Sequence, residues 1–196
     1  LDKALSLTSH KPLKQIIYQR EQHLCKLSLE NDISWNEFVD TSSSINCMPV
    51  DSNEPLYILH TSGTTGIPKG IVRTNGGHAV ALLNSMKMTY DISEDDVFWA
   101  ASDVGWVVGH SYIVYAPLLL GCSTVLYEGK PVGTPDAGQF WRVISEYKVK
   151  TMFTAPTAIR AIKKEDADGK ELKKYNLSKL QYIFLAGERA DPESIK

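Results

Sequence analysis

Ten consecutive residues, Thr61-Ser62-Gly63-Thr64-Thr65-Gly66-Ile67-Pro68-Lys69-Gly70, gather four hydroxyls, three glycines and one lysine directly behind a short apolar run. Those residue types suit a polyanion. Glycine lets the backbone curl its N–H groups into a concavity, hydroxyls add neutral donors, and lysine adds a point charge, so that together they replace the hydration of phosphate groups. A Ser/Gly turn between two strands has a similar composition, but the placement of Lys69 between Pro68 and Gly70 favours the phosphate loop. The Gly-Lys-Ser/Thr ending of the common NTPase loop is missing, because Pro68 precedes the lysine and no hydroxyl follows it. A Gly-x-Gly-x-x-Gly dinucleotide fingerprint is missing as well.

Other residues capable of chemistry invite plainer readings. His78 and His110 fall at expected helix starts and read as capping or packing residues. Cys25, Cys47 and Cys122 are odd in number and widely spaced, which fits free thiols in a reducing compartment and neither a disulfide framework nor a metal site. Cys122 lies in an apolar stretch and reads as core. No residue stands out as a general base, and no metal-ligand set is legible.

The elements that must position the loop follow from hydrophobic patterning. From Pro55 onward short apolar runs alternate with longer amphipathic ones, the mark of βαβ units. Strands are expected at Leu56–His60, Gly70–Arg73, Val97–Ser102, Thr124–Glu128, Thr151–Thr154 and Tyr182–Leu185, with helices at Gly77–Met88, Gly109–Leu120, Ala137–Tyr147 and Pro156–Lys164. Pro156 suits a first helical turn, where its missing N–H costs little. Before them, Ile16–Tyr18 reads as a strand, Ser34–Val39 as a short helix behind a serine cap, and Thr41–Asn53 as a polar connection. The fold class expected is α/β, a mostly parallel sheet with helices on both faces. The 196 residues, with 43% apolar and 22% charged, fit one sizeable folded unit. A formal charge of −2 without a basic run gives no footprint for nucleic acid. No stretch reaches the roughly 18 apolar residues that membrane insertion requires.

The loop resembles the phosphate-binding signature of the acyl-adenylate-forming superfamily, Thr-Ser-Gly-[Ser/Thr]-Thr-Gly-x-Pro-Lys-Gly, and matches it over all ten positions. Asp103–Tyr112 and Phe153–Arg160 are similar to segments of its acetyl- and propionyl-CoA synthetase branch, and Ala186-Gly187-Glu188-Arg189 is similar to a segment that lies against adenine. Arg189 stands where that segment usually has proline. The resemblance extends from Glu54 to Glu188 and more loosely over the first fifty residues. It implies a partial AMP-binding domain across 1–196, cut at both ends, whose parent also carries a small C-terminal domain, a magnesium-binding glutamate and a catalytic lysine beyond Lys196.

The implied substrates are a short carboxylic acid, ATP and coenzyme A, with Mg2+ accompanying the nucleotide. Thr61, Ser62, Gly63, Thr64, Thr65, Gly66 and Lys69 would hold the β- and γ-phosphates, and Gly187, Glu188 and Arg189 would lie near the base. Trp106, Val107, Val108 and Ala186 would line the acyl pocket. Acetate-specific members usually carry Val-Thr at the positions of Val107-Val108 and valine at that of Ala186, so this pocket is expected to be larger and less polar and to favour propionate. Arg160 reads either as a solvated helix residue or as a ligand contact. By themselves the 196 residues are expected to be inactive, and the family and free thiols favour the mitochondrial matrix over the cytosol. Two alternatives stay open: a nucleotide-binding module without catalysis, and an activator of acetoacetate, of medium-chain acids or of a carrier protein's substrate.

Overall fold

The computed structural model describes residues 1–27, 29–61 and 66–195. The chain divides into two units, Leu1–Pro49 and Val50–Lys196. In the first, helix α1 (Asp2–Leu7) precedes strands β1 (Gln15–Ile17) and β2 (Asp32–Ser34), which pair in parallel, and helix α2 (Trp35–Asp40) follows. Ser34 caps α2 as its type predicts, its hydroxyl accepting the Glu37 N–H at 3.2 Å. Sequence patterning misses α1 and β2, elements of six and three residues that are too short to develop a period.

In the second unit β3 (Pro55–Thr61) and β4 (Lys69–Thr74) form an antiparallel pair of their own. This corrects the reading of these two strands as members of the parallel sheet. Residues 62–68 are too few for the crossover that parallel strands require, so the chain must turn straight back. Helix α3 (Asn75–Met88) follows.

Among the described residues the main sheet has four strands, β5 (Val97–Ala100), β6 (Ser123–Thr124), β7 (Thr151–Thr154) and β8 (Tyr182–Leu185), all parallel and ordered β6-β5-β7-β8. Between β5 and β6 the chain forms α4 (Val107–Gly109), a π-helical segment (His110–Tyr115) and α5 (Ala116–Leu120). Helix α6 (Gln139–Tyr147) leads to β7 and α7 (Pro156–Glu165) to β8. A short 3-10 turn, Leu172–Lys174, lies in that last connection, and α8 (Pro192–Ile195) ends the chain's described part. The expected strand at Thr124–Glu128 shortens to two residues. At this edge β6 has one neighbour; Val125 N–H still donates to Phe98 C=O at 3.3 Å, and Val125 and Tyr127 pack against the core.

Alternation along the strands separates two cores, as the two-residue strand period requires. Phe98, Ala100 and Phe153 face Leu82 and Met86 of α3 and Ile113, Ala116 and Leu120 of the segment after β5. Trp99 and Met152 face Phe140, Trp141, Val143 and Ile144 of α6 and Ile162 of α7. Helices therefore cover both faces of the parallel sheet, as expected. Cys122 is buried in the first core, where burial pushes its thiol up to about 11.

Candidate functional site

The chain leaves β5 towards β6 on one side and leaves β7 towards β8 on the other, with helices on opposite faces. The carboxyl ends of β5 and β7 thus flank the point where the winding reverses, the place where open α/β sheets form a ligand crevice. Three hydrogen bonds tie its rim together. Ala101 N–H donates to Phe153 C=O at 2.8 Å, Ala186 N–H to Thr154 C=O at 3.1 Å, and the buried Thr154 hydroxyl to Ala101 C=O at 3.0 Å.

After β5, the Asp103 carboxylate accepts the Gly105 N–H at 2.7 Å, and Trp106 N–H donates back to Asp103 C=O at 3.2 Å. This tight turn delivers Val107 and Val108 at the start of α4. Gly109 packs so closely beneath it that a Cβ there would lie 2.2 Å from the Asp103 carbonyl oxygen and 2.4 Å from the Val104 Cα. Val107 and Val108 line a cavity of about 200 Å³ together with Arg73, His78, Ser111 and Tyr112. Val108 and Ala186 pack against the same core cluster. Trp106, expected as a fourth wall residue, is 69% exposed and does not border that cavity. Ser111 and Tyr112 end the Asp103–Tyr112 segment, whereas Arg73 and His78 carry no motif and are brought in only by the return of β4 and α3 to this segment.

His78 and His110 pack as expected. The Tyr57 ring stands edge-on to both imidazoles and stacks on Tyr115, and its hydroxyl lies 3.3 Å from His78 Nε2. Burial first, and then the Arg73 charge, lower the His78 pKa. This aromatic group fastens β3 to α3 and to the π-helical segment.

At the far end of the same strand pair, Thr61 stands directly opposite Lys69 across the ladder. Cross-strand partners share a face, so the two ends of the phosphate-loop motif present side chains together. Gly66 adopts φ +77°, a backbone that favours glycine. Ser62, Gly63, Thr64 and Thr65 lie outside the described residues.

Beyond β8, Gly187 turns the chain at φ +98°. Arg160 of α7 is neither freely solvated nor an open ligand contact in this structure: its guanidinium donates to Glu188 Oε1 and, at 3.1 Å, to Asp191 Oδ2. Asp191 also accepts the Ser194 hydroxyl at 2.7 Å and the Ser194 N–H at 3.0 Å. The Ser194 hydroxyl foremost, joined by its N–H and by Arg160, outweighs the opposing effect of desolvation and holds the Asp191 carboxyl down to about 2. The structure therefore places Glu188 beside a cation that sequence reading left unassigned. Among the described residues no three His, Cys, Asp or Glu side chains converge as a metal site. The residue types of the loop motif, hydroxyls, glycines and Lys69, suit an anion.

An α/β sheet with a crevice at its strand ends and a Gly/Thr/Lys motif in its sequence fits a nucleotide-handling enzyme class, and the chain belongs to the AMP-binding enzyme family, whose model matches residues 3–196. It is 51% identical over its full length to the human mitochondrial acyl-CoA synthetase short-chain family member 3, of which it spans 29%. It is 53% identical to an uncharacterized Pseudomonas aeruginosa protein (97% of this chain, 30% of that one) and 42% identical to the acetyl-coenzyme A synthetase of Methylobacillus flagellatus (99% and 30%). Among solved structures it resembles acetoacetyl-CoA synthetase from Streptomyces lividans at a TM-score of 0.76 and 25% identity, covering 92% of this chain and 27% of that one. The chain thus spans about a third or less of these relatives' lengths.

Proposed function

We propose that the protein containing this chain activates a short carboxylic acid with ATP and passes the acyl group to coenzyme A, and that these residues form part of its large AMP-binding domain. The observation that carries the reading is the complete ten-residue loop motif held on an antiparallel strand pair whose ends, Thr61 and Lys69, face each other. The names borne by the relatives support the same class.

In the first step the acid's carboxylate oxygen attacks the α-phosphorus of ATP. A C–O–P bond forms as the Pα–O–Pβ bond breaks, and pyrophosphate leaves with the electron pair. In the second, the thiol sulfur of coenzyme A attacks the acyl carbon: the C–S bond forms as the acyl C–O bond breaks, AMP departs with the electron pair, and the thiol proton is released. Nucleophile and ATP are both anions in the first step, so the protein's task is positioning and charge neutralisation. In this assignment Thr61, Ser62, Gly63, Thr64, Thr65, Gly66 and Lys69 hold the β- and γ-phosphates, Gly187, Glu188 and Arg189 flank the base, and Val107, Val108 and Ala186 form the acyl wall. Trp106 is assigned to the outer rim of that pocket in view of its exposure. Magnesium, arriving on the phosphates, would neutralise charge, and no residue of this chain is assigned to it.

Val108 and Ala186 make the acyl wall less polar and roomier than a Val-Thr and valine wall, which favours propionate over acetate. One methylene discriminates by only about 1–3 kcal/mol, so acetate and butyrate remain weaker substrates. ATP–pyrophosphate exchange by the full-length parent, measured with acids of two to six carbons, tests this. The highest kcat/KM is expected with propionate, and a clear acetate preference would sink the reading. The polar groups Arg73, His78 and Ser111 on the cavity beside Val107 favour a second reading, an acid with an additional oxygen such as acetoacetate, and acetoacetate belongs in the same panel. The mitochondrial relatives favour a mitochondrial compartment where the parent is eukaryotic, which subcellular fractionation would decide.

A further inference from the structure

We propose that Arg160 is a positioning residue for the nucleotide: from α7 it clamps the segment after β8 through Glu188 and Asp191 together, and so fixes the backbone against which the base lies. The inference rests on the assignment of Gly187 and Glu188 to the base made above.

Three observations converge on it. The segment leaves β8 through Gly187 at φ +98°, a residue with more backbone freedom than any other. The next position but one is Arg189, where a proline ring would otherwise have restrained the chain. What restrains it here is tertiary. One planar guanidinium, with donors in a rigid fork, bridges two carboxylates that lie 28 and 31 residues further along the chain. Ser194 holds the second carboxylate from behind with both its N–H and its hydroxyl. The clamp has an electrostatic side as well. Without Arg160, the Glu188 carboxylate would stand unneutralised beside a polyanionic nucleotide, and the like charges would repel.

Magnitude separates this role from a stabilising one. Arg160 is 38% exposed and its partners 41% and 45%, and ion pairs so open to solvent contribute little to global stability. Removing the guanidinium should leave a folded protein whose base-binding segment wanders.

The test uses the full-length parent with Arg160→Met, Arg160→Lys and Asp191→Asn. Calorimetry reads ATP and GTP affinity, and pyrophosphate exchange reads KM for ATP and for the acid. Arg160→Met is expected to weaken ATP binding roughly tenfold and to narrow the preference for ATP over GTP, with KM for the acid almost unchanged. Arg160→Lys should recover part of the loss, because an ammonium can serve one carboxylate but not grip both. Asp191→Asn should fall between wild type and Arg160→Met and add little in the double variant. Unchanged ATP affinity in Arg160→Met would overturn the proposal. Equal losses towards ATP, GTP and acid, with a lowered melting temperature and no recovery in Arg160→Lys, would overturn it too, since they mark a structural role. A wild-type parent that binds ATP yet exchanges with no acid would refute the acid-activating function while leaving the clamp to be judged by the ATP affinities. A wild-type parent that binds no ATP would refute both.

Discussion

Replacing Gly109 by alanine sets two physical effects of opposite sign against each other. Gly109 lies at the end of α4 and continues into the π-helical segment, where alanine is the better helix former by about 1 kcal/mol. The added methyl would meet the Asp103 carbonyl oxygen at 2.2 Å, the Val104 Cα at 2.4 Å and the Val104 carbonyl carbon at 2.7 Å. All three are backbone atoms and cannot rotate away. Reaching even 3.0 Å from the nearest requires the turn and the helix to part by roughly 0.8 Å. Overpacking of this kind costs ~1–3 kcal/mol when side chains can adjust. With backbone on both sides the upper end applies, and after the gain in propensity a net loss of about 2 kcal/mol remains. Amide hydrogen exchange over residues 103–115 of the full-length parent measures this locally and does not need the whole protein to unfold in two states. Exchange in the variant should be about thirtyfold faster. Because the displaced turn delivers Val107 and Val108, kcat/KM for the acid should fall by roughly ten- to a hundredfold. Exchange as slow as wild type or slower would refute the close-approach argument and leave propensity as the governing effect.

Two further outcomes follow from buried groups. His78 has a folded pKa below its ordinary 6.5, so the unfolded chain takes up a proton first as the pH falls. Its contribution to stability is present above about pH 6.5 and declines below it, down through the folded value. Melting temperatures measured from pH 7.5 to 5 should drop more steeply for the wild type than for His78→Gln, and parallel curves would contradict the assignment. Cys122, with its thiol near 11, is only about 0.1% thiolate at pH 8 and shielded as well, whereas Cys25 and Cys47 are exposed. A thiol reagent should label Cys25 and Cys47 in the native protein and reach Cys122 only in denaturant, as peptide mapping would show.

What the sequence determined alone was local. Thr61–Gly70 carries its chemistry in residue type, because glycine freedom, hydroxyl donors and a lysine charge belong to the residues themselves and need no distant partner. The strands Thr151–Thr154 and Tyr182–Leu185 and the capping role of Ser34 were legible for the same reason, since β-branched and aromatic content and cap chemistry are written within a few residues. The arrangement of those pieces was decided by chain return. Antiparallel pairing of β3 with β4 followed from a connection too short to cross over, and the two-residue length of β6 was set by its pairing with β5. The cavity at Val107 required α3 and the segment after β5 to meet. Arg160 shows the division most sharply. Its position on a helix after Pro156 says nothing of its partners, because ion pairs across 28 and 31 residues exist only once β7, α7 and β8 have wound side by side and brought the end of one connection over the beginning of another.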